Sequence, residues 1–308
     1  MPIAYISHPD CLKHNVGEFH PEQPERLTAI YDYLLHSGLE LALQFHDAEN
    51  VSQENLELAH TKSYIKNIFT KSPDEGLCQL DSDTLMMPHT LKACLRAAGA
   101  VVQGVDLVMK GEVKSAFCAV RPPGHHAEKD KAMGFCYFNN IAVGTAYAIK
   151  KYNLSRVAIV DFDVHHGNGT ENIFKDDHRV LFCSSFQHPF YPHSGADTIN
   201  DKIVNVPLSA GTKGAAFREQ IELQWLPALE EFKPELIMIS AGFDAHVADD
   251  MGQLSLNEKD YEWITIKIKE IADKYAQSRI VSSLEGGYEL GSLARSVAAH
   301  IDALLGFR

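Results

Sequence analysis

The 308-residue sequence predicts an α/β fold, a mostly parallel sheet sandwiched between helices. Three observations carry this. Short apolar runs of the buried-strand type recur along the chain, helix-like segments separate several of them, and the oddest polar residues sit in the loops after the runs. In chain order, TLKACLRAAGAVVQGVDLVMKG (90–111) reads as a helix: it is long, mostly apolar and free of proline. SAFCAV (115–120) is a short apolar run stopped by Arg-Pro-Pro-Gly, which fits a buried strand. NNIAVGTAYAIKKYN (139–153) is the next helix, and RVAIVDF (156–162), rich in β-branched residues, the next strand. VLFCSSF (180–186), KIVNVPL (202–208) and ELIMIS (235–240) are further strands of the same kind. LNEKDYEWITIKIKEIADKYA (256–276) is a helix and RIVSSL (279–284) a last strand. No low-complexity linker, internal repeat or compositional break divides the chain, so one domain over 1–308 is expected.

Composition narrows the function classes. The formal charge of −13 argues against nucleic acid as the main ligand, because phosphate binding needs clustered Lys and Arg. An acidic surface suits cationic partners such as lysine-rich protein tails or polyamines, and it also simply keeps a protein soluble. The six cysteines (Cys11, Cys78, Cys94, Cys118, Cys136, Cys183) are scattered with no CxxC pair, the pattern of reduced thiols rather than a disulfide frame. The start, MPIAYISHPD, has neither a basic region nor a long apolar run, and no segment reaches the ~20 apolar residues that span a bilayer. A cytoplasmic protein without a membrane partner is expected; the oligomeric state is not legible.

The stretch VAIVDFDVHHGNGT, Val157–Thr170, is the most informative. Alternation along a strand puts Asp161, Asp163 and His165 on one face and Val160, Phe162 and Val164 on the other. In an open parallel sheet chemistry gathers at the carboxyl ends of strands. Carboxylates that close resist desolvation unless a cation lies among them, which makes a divalent metal the economical explanation. A solvated Asp/His loop is the plainer alternative. Three other strand ends carry similar features. RPPGHHA presents His125 and His126 in a rigid loop, expected to point in different directions and serve distinct roles. SAGFDAHVADDMGQL places Asp244 just past a strand, with His246, Asp249 and Asp250 expected in a solvated loop. EGGY sets Tyr288 behind two glycines, which alone reads as a turn.

Together these loops make a coherent site. Asp163, His165 and Asp244 would hold one zinc with a position left open for water, as catalytic zinc sites do. Such a zinc would lower the pKa of its water and polarise a carbonyl. A histidine would move the proton and Tyr288 would donate to the oxyanion, with Asp161 orienting an imidazole. This is the chemistry of amide hydrolysis.

RPPGHHA, GFCYFNN, DFDVHHGNGT, SAGFDAH and EGGY, in this order and spacing, resemble the zinc-dependent histone deacetylase superfamily. HPEQPERL (20–27) is similar to its class II-type branch, which includes bacterial amidohydrolases and acetylpolyamine amidohydrolases. The resemblance implies a single arginase-like α/β domain. It implies that Asp163, His165 and Asp244 bind zinc, that His126 is the general base and acid, that His125 is its electrostatic partner and that Tyr288 stabilises the transition state. It further implies that Asp161 pairs with the first His and contributes, with Ser184 and carbonyls near Asp163 and His165, to a structural potassium site. Asn168 stands where class I relatives carry an Asp paired to the second His. Gly134 and Phe135 match one tunnel wall, Tyr191 takes the place of a second tunnel Phe, and Arg26 resembles an Arg lining the acetate exit. The substrate-backbone Asp of class I has no clear counterpart in DSDTLMMPH, where Met86 falls near it. In the polyamine-selective eukaryotic relative a Glu stands at the tunnel mouth, and the same loop here places Met251.

The expected function is therefore zinc-dependent hydrolysis of an N-acyl amide, with acyl-lysine as substrate or, alternatively, an acetylated polyamine. Two rivals share the outline. A two-metal ureohydrolase needs a further carboxylate where this chain has Ala245 and His246. A non-catalytic acyl-lysine-binding relative would lack a ligand, a His or the Tyr, and none is missing here.

Overall fold

The computed structural model describes residues 2–306. The chain opens with β1 (Ile3–Ser7), α1 (Asp10–Lys13), α2 (Glu25–Ser37), β2 (Leu43–Asp47), α3 (Gln53–Leu56) and α4 (Lys62–Lys71). A small antiparallel pair, β3 (Cys78–Gln79) and β4 (Leu85–Met86), precedes the long helix α5 (Thr90–Met109). Then come β5 (Ser115–Cys118), α6 (Asn140–Tyr152), β6 (Val157–Asp161), α7 (Asn168–Phe174), β7 (Val180–Gln187) and β8 (Ile203–Leu208). The last elements are α8 (Gly214–Phe232), β9 (Leu236–Ala241), α9 (Glu258–Tyr275), β10 (Ile280–Leu284) and α10 (Leu290–Leu305).

Eight strands form one sheet in the order β2-β1-β5-β10-β9-β6-β7-β8. Every neighbouring pair is parallel. β5, β6, β9 and β10 are buried at every residue, which is why they read as unbroken apolar runs. All six strands expected from the sequence are present, with bounds that differ by two residues at most. β1 and the edge strand β2 were not among them. β2 (LQFHD) mixes polar and half-exposed residues and so lacks the buried-strand pattern.

Helix starts are set by local chemistry. The Asn139 side chain accepts Ala142 N–H to cap α6, Asn257 and Asp260 form a capping box on α9, and the Glu289 carboxylate accepts Gly291 and Ser292 N–H to start α10. Close helix packing rests on glycine: at Gly144 a Cβ would run into Val101 of α5 and come 3.3 Å from Met238 of β9.

One consequence matters most for function. The strands β5, β10, β9 and β6 lie side by side in the sheet, although they come from widely separated parts of the chain. Because all are parallel, their carboxyl ends share one edge. The four polar loops picked out in the sequence therefore meet there.

Candidate active site

The loop after β6 brings the metal-type side chains in. The strand ends at Asp161, and a bend carries the alternation onward. Phe162 and Val164 turn into the core while Asp163 and His165 turn the other way, so the expected shared face is kept through a bend rather than along a strand. Asp244, after β9, joins them: one ligand-type atom from each of Asp163, His165 and Asp244 lies within 4.8 Å of the others, and all three residues are buried. His165 Nδ1 is 3.1 Å from Asp163 Oδ1 and 3.3 Å from Asp244 Oδ2.

The group fits a metal ion on its own chemistry. Three O/O/N donors converge, and Asp244 Oδ2 is buried with no hydrogen-bond partner. The outer oxygens are already held, since Gly286 N–H donates to Asp163 Oδ2 at 2.8 Å and Val164 N–H to Asp244 Oδ1 at 2.9 Å. Burial, and then the neighbouring Asp163, push the Asp244 carboxyl up to about 7. Burial also works against the charge of Asp163, but His125 and His165 outweigh it and hold that carboxyl below the usual range. Glycine makes the cradle possible, because a Cβ on Gly242 would strike the Asp163 carboxylate and one on Gly286 that of Asp244.

The paired histidines after β5 do not point apart. Their ring centroids are 4.0 Å apart, because each is held by a partner from the β6–α7 segment, and His126 is the one that lines the pocket. His125 Nδ1 donates to Asp161 Oδ2 at 2.9 Å. His126 Nδ1 lies 2.8 Å from Asn168 Oδ1, and the Asn168 amide nitrogen is spent on Glu128 Oε1 at 2.9 Å. Asn168 thus offers His126 an acceptor, so the His126 proton sits on Nδ1 and Nε2 is bare. Electrostatics separate the pair. Burial disfavours charge on His125, but Asp161 and Asp163 overcome it and raise its pKa well above the ordinary value. Burial, then the neighbouring His125 and His165, push His126 well below it. The two neighbouring imidazoles are thus biased toward different protonation states, His125 charged and His126 neutral.

A cavity of about 370 Å3 opens onto these groups. His126, His165 and Tyr288 line it together with Gly134, Phe135, Phe190 and Tyr191. Phe190 stacks on His165 (5.4 Å between centroids, 20° between planes), while the Tyr191 ring stands edge-on to His126 at 5.2 Å. The Tyr191 hydroxyl is buried without a partner. Asp83, Asp250 and Met251 complete the lining. Met86 is fully buried in the core, and Asp83 of the same segment is the residue that reaches the cavity. Burial keeps the Tyr288 phenol protonated, and the Arg26 guanidinium sits 4.8 Å from its ring centre.

Other expected residues have clear surroundings. Arg26 is fully buried, donating to Gly287 O at 2.6 Å, Glu285 O at 2.5 Å and Glu22 Oε1 at 3.0 Å. Ser184 lies opposite Asp161 in register, its hydroxyl 3.0 Å from His166 Nδ1. The expectation of His246, Asp249 and Asp250 in a solvated loop is corrected in part: His246 and Asp249 are buried, while Val247, Ala248 and Asp250 are exposed. Asp249 Oδ2 accepts Tyr288 N–H at 2.6 Å and Glu289 N–H at 3.0 Å, which ties the tyrosine loop to the Asp244 loop. Sequence reading also passed over Glu285, fully buried after β10. Its Oε2 accepts Gly124 N–H at 2.7 Å and His125 N–H at 3.1 Å, fixing the histidine loop. The signal was present as a carboxylate directly after an apolar strand, the same signal that marked Asp244.

With this geometry in hand, comparison with known proteins is informative. The family model "Histone deacetylase domain" matches residues 20–304. The chain is 38% identical to an uncharacterized protein of Synechocystis, over 98% of this chain and 99% of that protein. It is 38% identical to the mouse "Polyamine deacetylase HDAC10" and 36% to "Type-2 histone deacetylase 2" of Dictyostelium discoideum, over 99% and 97% of this chain. It spans only 48% and 20% of those longer proteins. Among solved structures, that of the HDA15 HD domain superposes with a TM-score of 0.93 at 33% identity, covering 99% of this chain and 90% of that one.

Proposed function

This chain belongs to the histone deacetylase family of amidohydrolases, and we propose that it removes the acyl group from acyl-lysine side chains as one zinc-dependent domain. One observation carries the reading: a buried Asp163–His165–Asp244 cluster with an orphaned carboxylate oxygen reaches, through His165, the same cavity as the neutral imidazole of His126. Asp163, His165 and Asp244 would hold the zinc. When bound, the ion supplies a Lewis acid and a water of lowered pKa.

The chain's own groups do the remaining work. His126 Nε2, bare because Nδ1 donates to Asn168, takes a proton from the attacking water and hands it to the leaving amine. His125, held charged by Asp161, adds a fixed positive field beside it. Tyr288 remains an O–H donor and meets the carbonyl oxygen as negative charge builds there. Phe135, Phe190 and Tyr191 shed water from the chain that carries the acyl group. Arg26, under the Tyr288 ring, fixes that phenol and borders the route by which the acid product leaves. Asp161, Ser184 and the carbonyls near Asp163 and His165 are the candidate potassium ligands. Six cysteines, all unpaired, suit the reducing cytoplasm as its compartment.

Metal analysis coupled to turnover of an acetyl-lysine peptide tests the reading. About one zinc per chain is expected, with activity lost on chelation and with both metal and activity lost in Asp163→Ala and Asp244→Ala. Full turnover by metal-free protein would overturn it.

An acetylated polyamine is the second reading, favoured by Asp83 and Asp250 in the cavity lining. Against it stands Met251, which puts a thioether and no charge at the mouth. A carboxylate ~4 Å from an ammonium contributes ~4 kcal/mol at an effective dielectric of ~20, before desolvation is subtracted. The kcat/KM for an acetyl-lysine peptide against N-acetylputrescine and N-acetylspermidine separates the two, with Met251→Glu in parallel. A preference for the polyamines of about tenfold or more, unchanged in Met251→Glu, would reverse the order.

A further inference from the structure

A buried charge cluster with a single anion links the loops that carry the histidine pair and Tyr288. Arg121 opens the histidine loop, and Arg26 packs beneath the Tyr288 ring. Both guanidinium groups are fully buried. Among the described residues, the one carboxylate paired with either is that of Glu22, itself buried. Arg121 grips it side-on, Nε donating to Oε1 and Nη2 to Oε2, the latter at 2.7 Å. Arg26 Nη1 reaches the same Oε1 at 3.0 Å, and His14 Nε2 stands 3.4 Å from Oε2.

Stability alone does not call for this arrangement, since apolar side chains of similar volume often replace a buried ion pair without loss. What apolar packing cannot supply is direction. A guanidinium is always charged and planar, and its donors point along fixed lines. Arg121 spends further donors on Cys11 O at 2.7 Å and His14 O at 3.1 Å, which anchors its end of the cluster. Arg26 is then filled on three sides, by Glu22, by Gly287 O at 2.6 Å and by Glu285 O at 2.5 Å. The Tyr288 loop needs such a hold, because Gly287 sits at φ +117° and glycine has little backbone preference of its own. Asp249 grips the loop by the Tyr288 and Glu289 amides, and Arg26 grips it by the carbonyls of Glu285 and Gly287. Glu22 does not line the cavity, so it acts only through these neighbours.

We propose that Glu22 is a positioning residue for the chemical step: by fixing Arg26 against the Glu285 and Gly287 carbonyls it holds the Tyr288 hydroxyl where the oxyanion forms. Its second grip, on Arg121, ties the tyrosine loop to the histidine loop, so one carboxylate sets the distance between the two. This role rests on the zinc-dependent deacylation proposed above.

Steady-state kinetics of Glu22→Gln on an acetyl-lysine peptide, alone and combined with Tyr288→Phe, tests this on the full chain. Glutamine keeps the size of Glu22 but removes its charge and turns N–H groups toward a guanidinium. The kcat should fall by about 10–10²-fold, as when a catalytic group is misplaced, with KM within about twofold and zinc content unchanged. In the Tyr288→Phe background the same change should cost less than about twofold, because the hydroxyl it positions is gone. A general loosening of the core would instead lower kcat by the same factor in both backgrounds. Glu22→Asp keeps the anion and shortens its reach; it should fold and show the same pattern, which preserves the test if the glutamine variant does not fold. Wild-type kcat in the folded variants, a change confined to KM, equal losses with and without the Tyr288 hydroxyl, or failure of both variants to fold would each overturn the role of Glu22 and leave the reaction standing. Wild-type turnover in Tyr288→Phe alone would fault the reaction itself, and this role with it.

Discussion

At His126 the location of one proton decides what the side chain can do. Glu128 orients the Asn168 amide, Asn168 Oδ1 then accepts a hydrogen bond from His126 Nδ1–H, and Nε2 is left to accept. His126→Ala should therefore lower kcat by roughly 10²–10⁴-fold. Tyr288→Phe should cost about 10²–10³-fold, as the loss of one oxyanion donor does. Both variants should retain zinc on metal analysis, and wild-type kcat/KM in Tyr288→Phe would reduce the phenol to a turn residue. Asp249 acts one step away by gripping the Tyr288 and Glu289 amides. Asp249→Ala should lower kcat more than it changes KM and leave metal content intact; a loss of zinc instead would place its role at the Asp244 loop. These residues also mark how far the sequence could be read. Asp163, His165, Asp244 and the histidine pair were legible because their side-chain types are wrong for the buried positions they follow. Asp249 was not, because its partners are backbone N–H groups of a distant loop, and an amide leaves no mark on a side-chain pattern; Glu285 carried the same signal as Asp244 and was passed over.

Among the elements, five of the six strands that were legible lie buried inside the sheet, where little but apolar residues fits, and the sixth, β8, is a half-exposed edge strand that keeps an apolar run. The edge strand β2 escaped because it mixes polar and half-exposed residues. The packing of α6 on α5 gives a test of how closely the helices approach the sheet. Propensity alone favours Gly144→Ala by about 1 kcal/mol in a helix interior. A Cβ there, however, meets Val101, a β-branched side chain with little rotamer freedom, and overpacking of a dense core costs about 1–3 kcal/mol. The net expectation is a loss of about 1 kcal/mol in urea unfolding, with most of it recovered in Gly144→Ala/Val101→Ala because the two sites touch. A stabilised single variant would mean that α5 and α6 can move apart freely.

Across the whole molecule, acid stability is governed by buried groups outside the site as well as within it. His300 is fully buried beside Phe117, Phe162 and Phe243, 2.7 Å from Thr265 Oγ1 and 2.9 Å from Ser282 Oγ. Thr265 spends its own proton on Tyr261 O at 2.6 Å, so His300 donates from Nδ1 and accepts from Ser282 at Nε2, a fully satisfied neutral ring. Burial lowers its pKa to about 3. His60 is alike: Nε2 accepts Asn139 N–H at 2.9 Å, Nδ1 donates to Glu128 O at 2.9 Å, and burial lowers its pKa to about 4. In each case the unfolded chain takes up a proton near the ordinary value of about 6.5 while the folded chain does not. Stability is therefore whole above about pH 6.5 and falls as pH drops toward the folded value, the unfolded state binding more protons across that window. Between about pH 7.5 and about pH 5 each such histidine removes about 2 kcal/mol. His300→Gln keeps a donor and an acceptor but cannot titrate. It should start less stable at neutral pH, because its shape differs, yet lose about 2 kcal/mol less than wild type on acidification, as read from urea midpoints at both pH values. Parallel acid losses in wild type and variant would mean that His300 gains no proton on unfolding, and the slope would then belong to His60 and the carboxylates.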